Sequence, residues 1–333
     1  MSFQESLVSP NGLSFTPNTL RKVPTLSLAN YTSGNDQQKS DFINKLYLGL
    51  KDYGFIILKD HGVDPALLSR AYGLLEKFFQ LPEETKRTYI SKAGGGQRGY
   101  TPFGQEHAKD AKVMDLKEFW HVGREVSATN PLKDKYYPDN IWPAELPEFK
   151  IVFSQLYADL ENAGQVMLEA LTGPLEVEKD FFKNMTYEGN SILRLLHYPP
   201  IPVGTDPRCL RSAPHEDINF ITLLPAATAS GLQLKDRDGT WLDIASEPDS
   251  LIVDAGDMLA RLTNDVIPST THQVINSLES KNKARYSMPF FMHPNPNAIL
   301  SCLPSCRGAG VKYPDISGGE FLMQRLREIG LIK

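Results

Sequence analysis

Residues 191–198 read SILRLLHY, and from there to residue 292 short β-prone runs alternate with turns. The later runs are FITLL (220–224), GLQL (231–234), TWLDI (240–244), LIV (251–253), TTHQVI (270–275) and RYSMPFFM (285–292). Turn formers divide them, among them Asp238-Gly239, Ala255-Gly256-Asp257 and Pro294-Asn295-Pro296. Branched and aromatic side chains suit a pleated, half-buried surface, whereas Gly, Asp and Pro punctuate it. Runs this short, spaced this closely and without helices between them predict an antiparallel sandwich or barrel rather than alternating βα units.

Before residue 188 the texture is helical. Residues 1–35 form an irregular leader with a short strand at Thr25–Leu28, followed by a helix from about Gln38 to Tyr53 that Gly54 ends. Phe55–Leu58 reads as a short buried strand, and Asp64-Pro65 supplies the N-cap and first turn of a second helix. Its stripe is Leu67, Leu68, Ala71, Leu74, Leu75, Phe78 and Phe79. A long helix is expected from about Pro147 to Leu171, and a last one near Gly319–Glu328. The fold class is therefore mainly β with flanking helices, a helical N-terminal half packed on a C-terminal β core as one cooperative unit.

Composition narrows the function. Lys and Arg number 35 against 40 Asp and Glu, a net of -5 with no basic block, so nucleic acid is not an expected partner. No apolar run reaches the roughly 18 residues of a membrane span, and MSFQESLVSP is too polar for a signal peptide. Cys209, Cys302 and Cys306 are odd in number and read as reduced thiols. The expectation is a cytoplasmic monomer or weak homo-oligomer acting on a small molecule.

The chemistry lies inside the β-rich part. In a strand, alternate side chains share a face, so His215 and Asp217 of His215-Glu216-Asp217 can chelate one ion while Glu216 points away. His272 lies in a later β-prone run and can return to the same place in a folded-over barrel. Two imidazoles and one carboxylate occupy one face of an octahedral metal and leave three positions open, the ligand set of non-haem Fe(II) oxygenases. Hydrolytic zinc is the competing reading. Arg285-x-Ser287 favours iron, because a guanidinium and a hydroxyl on one strand face suit a carboxylate ligand. Arg194 shares strand parity with Leu196 and Tyr198, and a buried Arg needs an anionic ligand or a structural carboxylate. Asn219, two residues past Asp217, is a candidate for positioning ligands, with an ordinary turn role as the alternative. His61 and His197 read as structural. Gly94-Gly95-Gly96 lacks the ending and setting of a phosphate loop and reads as a flexible segment near the site's mouth.

With these residues in view, the chain resembles the Fe(II)/2-oxoglutarate-dependent oxygenase superfamily, and within it the isopenicillin N synthase-like group. The motifs run in family order over nearly the whole chain. Asp52-Tyr53-Gly54-Phe55-Ile56-Ile57, Asp60-His61-Gly62-Val63, Phe78-Phe79-Gln80-Leu81-Pro82, Gly99-Tyr100-Thr101-Pro102 and Lys117-Glu118-Phe119-Trp120 come first. Arg194–Pro200, Pro214–Asp217, Thr222–Leu224, Gly231–Gln233, Val253–Asp257, Ser269–Val274 and Arg285–Ser287 follow.

The resemblance implies a double-stranded β-helix (jelly roll) over 188–300, a family N-terminal region over 1–130, and supporting helices over 131–187 and 301–333. It implies that His215, Asp217 and His272 hold Fe(II), and that Arg285 and Ser287, with Tyr198 as a further donor, bind 2-oxoglutarate. Plant members carry Asn two residues before that Tyr; this chain has Leu196 and lacks that polar contact. The implied reaction couples decarboxylation of 2-oxoglutarate, with O2, to C–H oxidation, most commonly hydroxylation. An oxidase like isopenicillin N synthase, a non-catalytic binding protein and a zinc hydrolase are the rivals. Substrate contacts are expected from Arg98–His107, Lys117–His121 and the segment after Pro294.

Overall fold

Two sheets enclose the candidate site in the computed structural model, which describes residues 21–91, 96–106, 113–245, 247–276 and 282–328. Residues 1–20 of the leader, Gly94 and Gly95, and the His107 end of the Arg98–His107 loop lie outside the described residues. The larger sheet runs β1 (Thr25–Ser27), β2 (Phe55–Lys59), β10 (Leu251–Ala255), β7 (Ile221–Pro225), β13 (Phe290–Met292), β5 (Ile192–Tyr198), β4 (Glu118–Gly123) and β3 (Gly99–Thr101). β12 (Arg285–Ser287) also pairs with β5. The smaller sheet runs β6 (Ser212–His215), β11 (His272–Val274), β8 (Leu232–Lys235) and β9 (Trp241–Asp243). The short runs thus form the expected antiparallel β core, and its arrangement is the jelly roll the resemblance implies, left as two sheets rather than joined into one closed barrel.

The expected helices form at Asp36–Tyr53, Pro65–Phe79, Glu148–Leu171 and Gly318–Glu328. Asn35 caps the first with a reciprocal bond to Gln38, and Asp64 caps the second through Ala66 N at 2.8 Å. Phe149, Phe153, Leu156, Leu160 and Met167 of the long helix are buried against the larger sheet. Gly164 lets it settle there, since a Cβ would stand 2.5 Å from Met292 Sδ.

The two strands expected in the N-terminal half form as β1 and β2, and the structure adds β3 and β4 to them. Together the four extend the larger sheet on both flanks. Lys117–His121, expected to contact substrate, is strand from Glu118 onward and buried on both faces. Its polar residues are tolerated inside because partners come from far along the chain. Glu118 binds His197 Nδ1 at 2.7 Å and Lys86 Nζ at 2.8 Å, which also assigns His197 the expected structural role. His61 is likewise structural, its Nδ1 accepting from Val63 N at 3.2 Å.

Gly54 does more than stop a helix. Its φ of 70° needs the left-handed region, and a Cβ would lie 2.2 Å from Thr270 Oγ1. The bare backbone lets β2 enter beside β10, with Ala255 N donating to Gly54 O at 2.9 Å. Phe55 then meets the His272 ring edge-on at 5.5 Å between centroids. No helix among the described residues is long and apolar enough to cross a membrane.

Candidate metal centre and cosubstrate pocket

His272 returns to His215 because β11 pairs antiparallel with β6, and the two histidines are direct cross-strand partners. Their rings lie 4.4 Å apart between centroids. Each Nε2 is 3.8 Å from Asp217 Oδ1, and one donor atom of each residue lies within 4.8 Å of the others. The opposite ring nitrogens face backbone carbonyls: His215 Nδ1 donates to Ala213 O at 2.7 Å, and His272 Nδ1 to Thr270 O at 3.1 Å. That pattern fixes the tautomers and leaves both Nε2 lone pairs for a cation. Burial, with His272 adding to it, pushes His215 down to about 4, so it is neutral at physiological pH.

Asp217 reaches this position differently from the strand alternation expected of H-x-D. β6 ends at His215, and Asp217 sits in the following loop, 8% exposed. The loop is held by its backbone, Asp257 N donating to Asp217 O at 2.7 Å. Thr222 Oγ1 donates to Asp217 Oδ2. Burial alone would raise Asp217, yet the two imidazoles and Thr222 outweigh it and hold the carboxyl below its usual range. Asp254, directly opposite Thr222 on β10, is hydrogen-bonded to Asp217. Burial and the Asp217 charge push it well above the usual carboxylate range, so it faces Asp217 as a neutral acid. Glu216 points out to solvent as expected and accepts from Thr271 Oγ1.

Asn219 is not at the cavity. Fully buried, it donates through Nδ2 to Ile221 O and Thr222 Oγ1, both at 3.0 Å. The candidate ligand contact is thus corrected to a brace behind Thr222. The residue is polar because the loop's backbone and hydroxyl need a partner there, and Gly256 packs against it so closely that a Cβ would stand 2.5 Å from Asn219 Oδ1.

The triad shares a cavity, partly open to solvent, with Tyr198, Arg285, Ser287 and Arg194. Arg285 and Ser287 are each 2% exposed on one face of β12, while Tyr286 turns outward and stacks on His197. Arg285 Nε donates to Ala229 O at 3.0 Å, and its guanidinium lies 5.0 Å from the Tyr198 ring centroid. Among the described residues its buried Nη1 has no hydrogen-bond partner. A buried, unpaired guanidinium donor is costly, and it fits an anion that the protein itself does not provide. Leu196, from the same strand as Tyr198, lines the cavity and offers no donor.

Arg194 also lines the cavity, and its partner is a protein carboxylate, Glu106, at 3.0 Å. Thr222, Asp254 and Glu106 were not singled out as site residues from the sequence. The available signal was a hydroxyl and a carboxyl inside otherwise apolar runs, FITLL and LIVDA.

Family comparisons agree with this geometry. Residues 189–294 match the 2OG-Fe(II) oxygenase superfamily, and residues 23–145 match the family described as non-haem dioxygenase in morphine synthesis N-terminal. A 2-oxoglutarate-Fe(II) type oxidoreductase of Aspergillus fumigatus is 30% identical over 313 residues, covering 91% of this chain and 92% of its own length. The chain belongs to the 2OG-Fe(II) oxygenase superfamily. Among solved structures, a 2OG-Fe(II) oxygenase family protein of Caulobacter crescentus is 44% identical, with a TM-score of 0.82 over 92% of this chain and 98% of its own. A full-length Neurospora crassa protein, solved in complex with alpha-KG and thymine, is 28% identical, with a TM-score of 0.81 over 92% of this chain and 96% of its own.

This 2OG-Fe(II) oxygenase is an enzyme that uses Fe(II), 2-oxoglutarate and O2. The relatives favour it over the oxidase, binding-protein and zinc-hydrolase alternatives. Its buried residues fit both groups: a His, Asp, His donor set for the metal and an orphaned guanidinium for the cosubstrate.

Proposed function

We propose that His215, Asp217 and His272 bind the Fe(II), and that Arg285 and Ser287, with Tyr198, receive the distal carboxylate of 2-oxoglutarate. The observation that carries this reading is Arg285 Nη1, buried and unpartnered in the cavity that also holds the three metal donors. When bound, iron and 2-oxoglutarate supply the oxidising chemistry: O2 is consumed, 2-oxoglutarate becomes succinate and CO2, and a C–H bond of a small molecule is oxidised.

The chain's own residues orient and exclude. Ala213 O and Thr270 O hold the imidazoles in one tautomer, Thr222 and Asp254 fix the Asp217 carboxylate, and Tyr198 supports the Arg285 guanidinium from one face. Leu196, Leu224, Leu232, Val274 and Phe55 form apolar wall, which keeps water from the reacting groups. Hydroxylation is the proposed outcome. The N-terminal match and the motif order support placement in the isopenicillin N synthase-like group, and three buried free cysteines support a reducing, cytoplasmic setting. We also read the chain as one cooperative unit, because β1 to β4 belong to the same sheet as the jelly-roll strands.

The test is succinate release from 2-oxoglutarate by the Fe(II)-loaded chain, alone and with candidate metabolites. His215→Ala and Asp217→Ala are expected to abolish it. Turnover at the parent rate in either variant would sink the metal assignment.

A further inference from the structure

Two cations face the cavity besides Arg285, and neither is free. Lys117 Nζ lies 2.8 Å from Asp115 Oδ2 and 3.1 Å from Glu106 Oε1. Arg194 Nη1 shares the same Glu106 oxygen at 3.0 Å. Arg194 Nε donates to His121 Nε2 at 2.6 Å, and His121 Nδ1 donates to Gly96 O at 2.6 Å, so that ring is neutral. All four charged side chains are nearly sealed, at 5%, 3%, 10% and 15% exposure for Lys117, Asp115, Glu106 and Arg194. Two cations and two carboxylates cancel.

The opposite wall is balanced too once loaded. The charges of the metal and Arg285 match those of Asp217 and the two carboxylates of 2-oxoglutarate, and Asp254, whatever its state, adds nothing positive. One donor stays open. Among the described residues Arg194 Nη2 makes no hydrogen bond, while Phe119 and Phe291 flank the guanidinium at 4.3 and 5.4 Å and fix its plane.

We propose that the organic substrate is uncharged where it meets this wall, a small molecule presenting a carbonyl or similar acceptor to Arg194, an inference that rests on the iron and 2-oxoglutarate reading above. A carboxylate would have to displace Glu106 from Arg194 or remain a buried charge without a counter-ion, and both are strongly unfavourable. A carbonyl accepts from Nη2 and leaves every ion pair intact. The charge balance thus selects against anionic metabolites although the wall contains Arg and Lys.

The experiment is anaerobic equilibrium titration of the full chain, loaded with Mn(II) and 2-oxoglutarate, using probe pairs that differ by one carboxylate: thymine against uracil-5-carboxylate, and nicotinamide against nicotinate. An uncharged probe is expected to bind at least about tenfold more tightly than its carboxylate partner. Glu106→Gln leaves the cluster with a net positive charge, and the carboxylate partner then gains about tenfold relative to the uncharged one. Tighter binding of a carboxylate to the parent chain, or no binding of either uncharged probe at millimolar concentration, overturns the proposal. So does an unchanged ratio in a folded Glu106→Gln variant; if that variant does not fold, the parent comparison decides alone. Saturable 2-oxoglutarate binding is measured first: its absence counts against the cosubstrate reading, whereas a carboxylate preference with that binding intact counts against this inference only.

Discussion

Replacing Arg285 by Met separates a cosubstrate clamp from a structural arginine. Among the described residues the guanidinium of the free chain keeps one hydrogen bond, Nε to Ala229 O at 3.0 Å, and its buried Nη1 has no partner. An unsatisfied buried donor costs about 1–3 kcal/mol, which offsets much of what the Ala229 bond and the Tyr198 contact contribute. Arg285→Met is therefore expected to leave the melting temperature of the ligand-free chain nearly unchanged. With 2-oxoglutarate bound the balance reverses, because the variant leaves the distal carboxylate buried without a counter-ion. Breaking a buried pair in this way costs about 3–5 kcal/mol, so Kd for 2-oxoglutarate rises about 100- to 4,000-fold at 1.4 kcal/mol per decade. Arg285→Lys keeps the charge but loses the fork and the Ala229 tie, and falls between parent and Met. Ser287→Ala removes one charge-assisted bond of about 1.5–3 kcal/mol, a change of about ten- to a hundredfold. Anaerobic calorimetric titration of the Mn(II)-loaded variants, with thermal melts of the same samples, gives both quantities. A folded Arg285→Met chain that binds 2-oxoglutarate as tightly as the parent would refute the reasoning, as would a collapse of stability with affinity intact.

Three further outcomes follow from the groups around the metal donors. Thr222→Val keeps the shape but removes the hydroxyl that donates to Asp217, and metal affinity in a competition titration is expected to fall about 10- to 100-fold. Asp254→Asn, which still offers a donor to Asp217, is expected to hold metal affinity near the parent value, while Asp254→Ala lowers it about tenfold; equal losses in both would contradict the neutral-acid role. His293 is pushed by burial from 6.5 down to about 4, so between these values the folded chain binds fewer protons than the unfolded one. Stability of the metal-free chain then falls as pH drops from 6.5 toward 4, by up to about 1.4 kcal/mol per pH unit from this group. Chemical denaturation across that range should show a shallower acid slope in His293→Phe; an unchanged slope would remove His293 from the account.

The jelly-roll strands could be read from sequence because half-buried strands write their pattern locally, in runs such as FITLL and LIVDA closed by turn formers. β6 and β4 could not. Ser212–His215 contains Pro214 and few apolar residues, and it is a strand because β11 pairs with it. Glu118–Gly123 is buried on both faces with Glu118 and His121 inside, which is tolerable only through Lys86, His197 and Arg194, residues 32, 79 and 73 positions away. The same division holds at the site. Spacing singled out His215, Asp217, His272, Arg285 and Ser287, which the structure brings into one cavity, because ligand chemistry restricts which residue types can serve. It did not reveal that Thr222 and Asp254 attend Asp217, since that depends on the register between β7 and β10. Asn219 misled for the opposite reason: close to Asp217 in sequence, it faces the loop's own backbone.

Leu196 gives this wall its logic. Arg194, Leu196 and Tyr198 alternate along one face of β5, and all three line the cavity, with Tyr198 opposite Arg285 and Leu196 opposite Ser287. At about 3.3 Å per residue, the Arg194 and Tyr198 positions stand about 13 Å apart. An apolar step between them keeps the two guanidinium stations distinct: Arg285 beside Tyr198 has an unpaired donor and calls for an anion, whereas Arg194 is already neutralised by Glu106 and calls for an uncharged acceptor. A polar residue at 196 would offer an intermediate place for either ligand. With Leu there, the proposed placement of 2-oxoglutarate at Arg285 leaves its distal carboxylate one end of the wall at which it is compensated, and the two proposals together sort the cosubstrate and the molecule to be oxidised by charge.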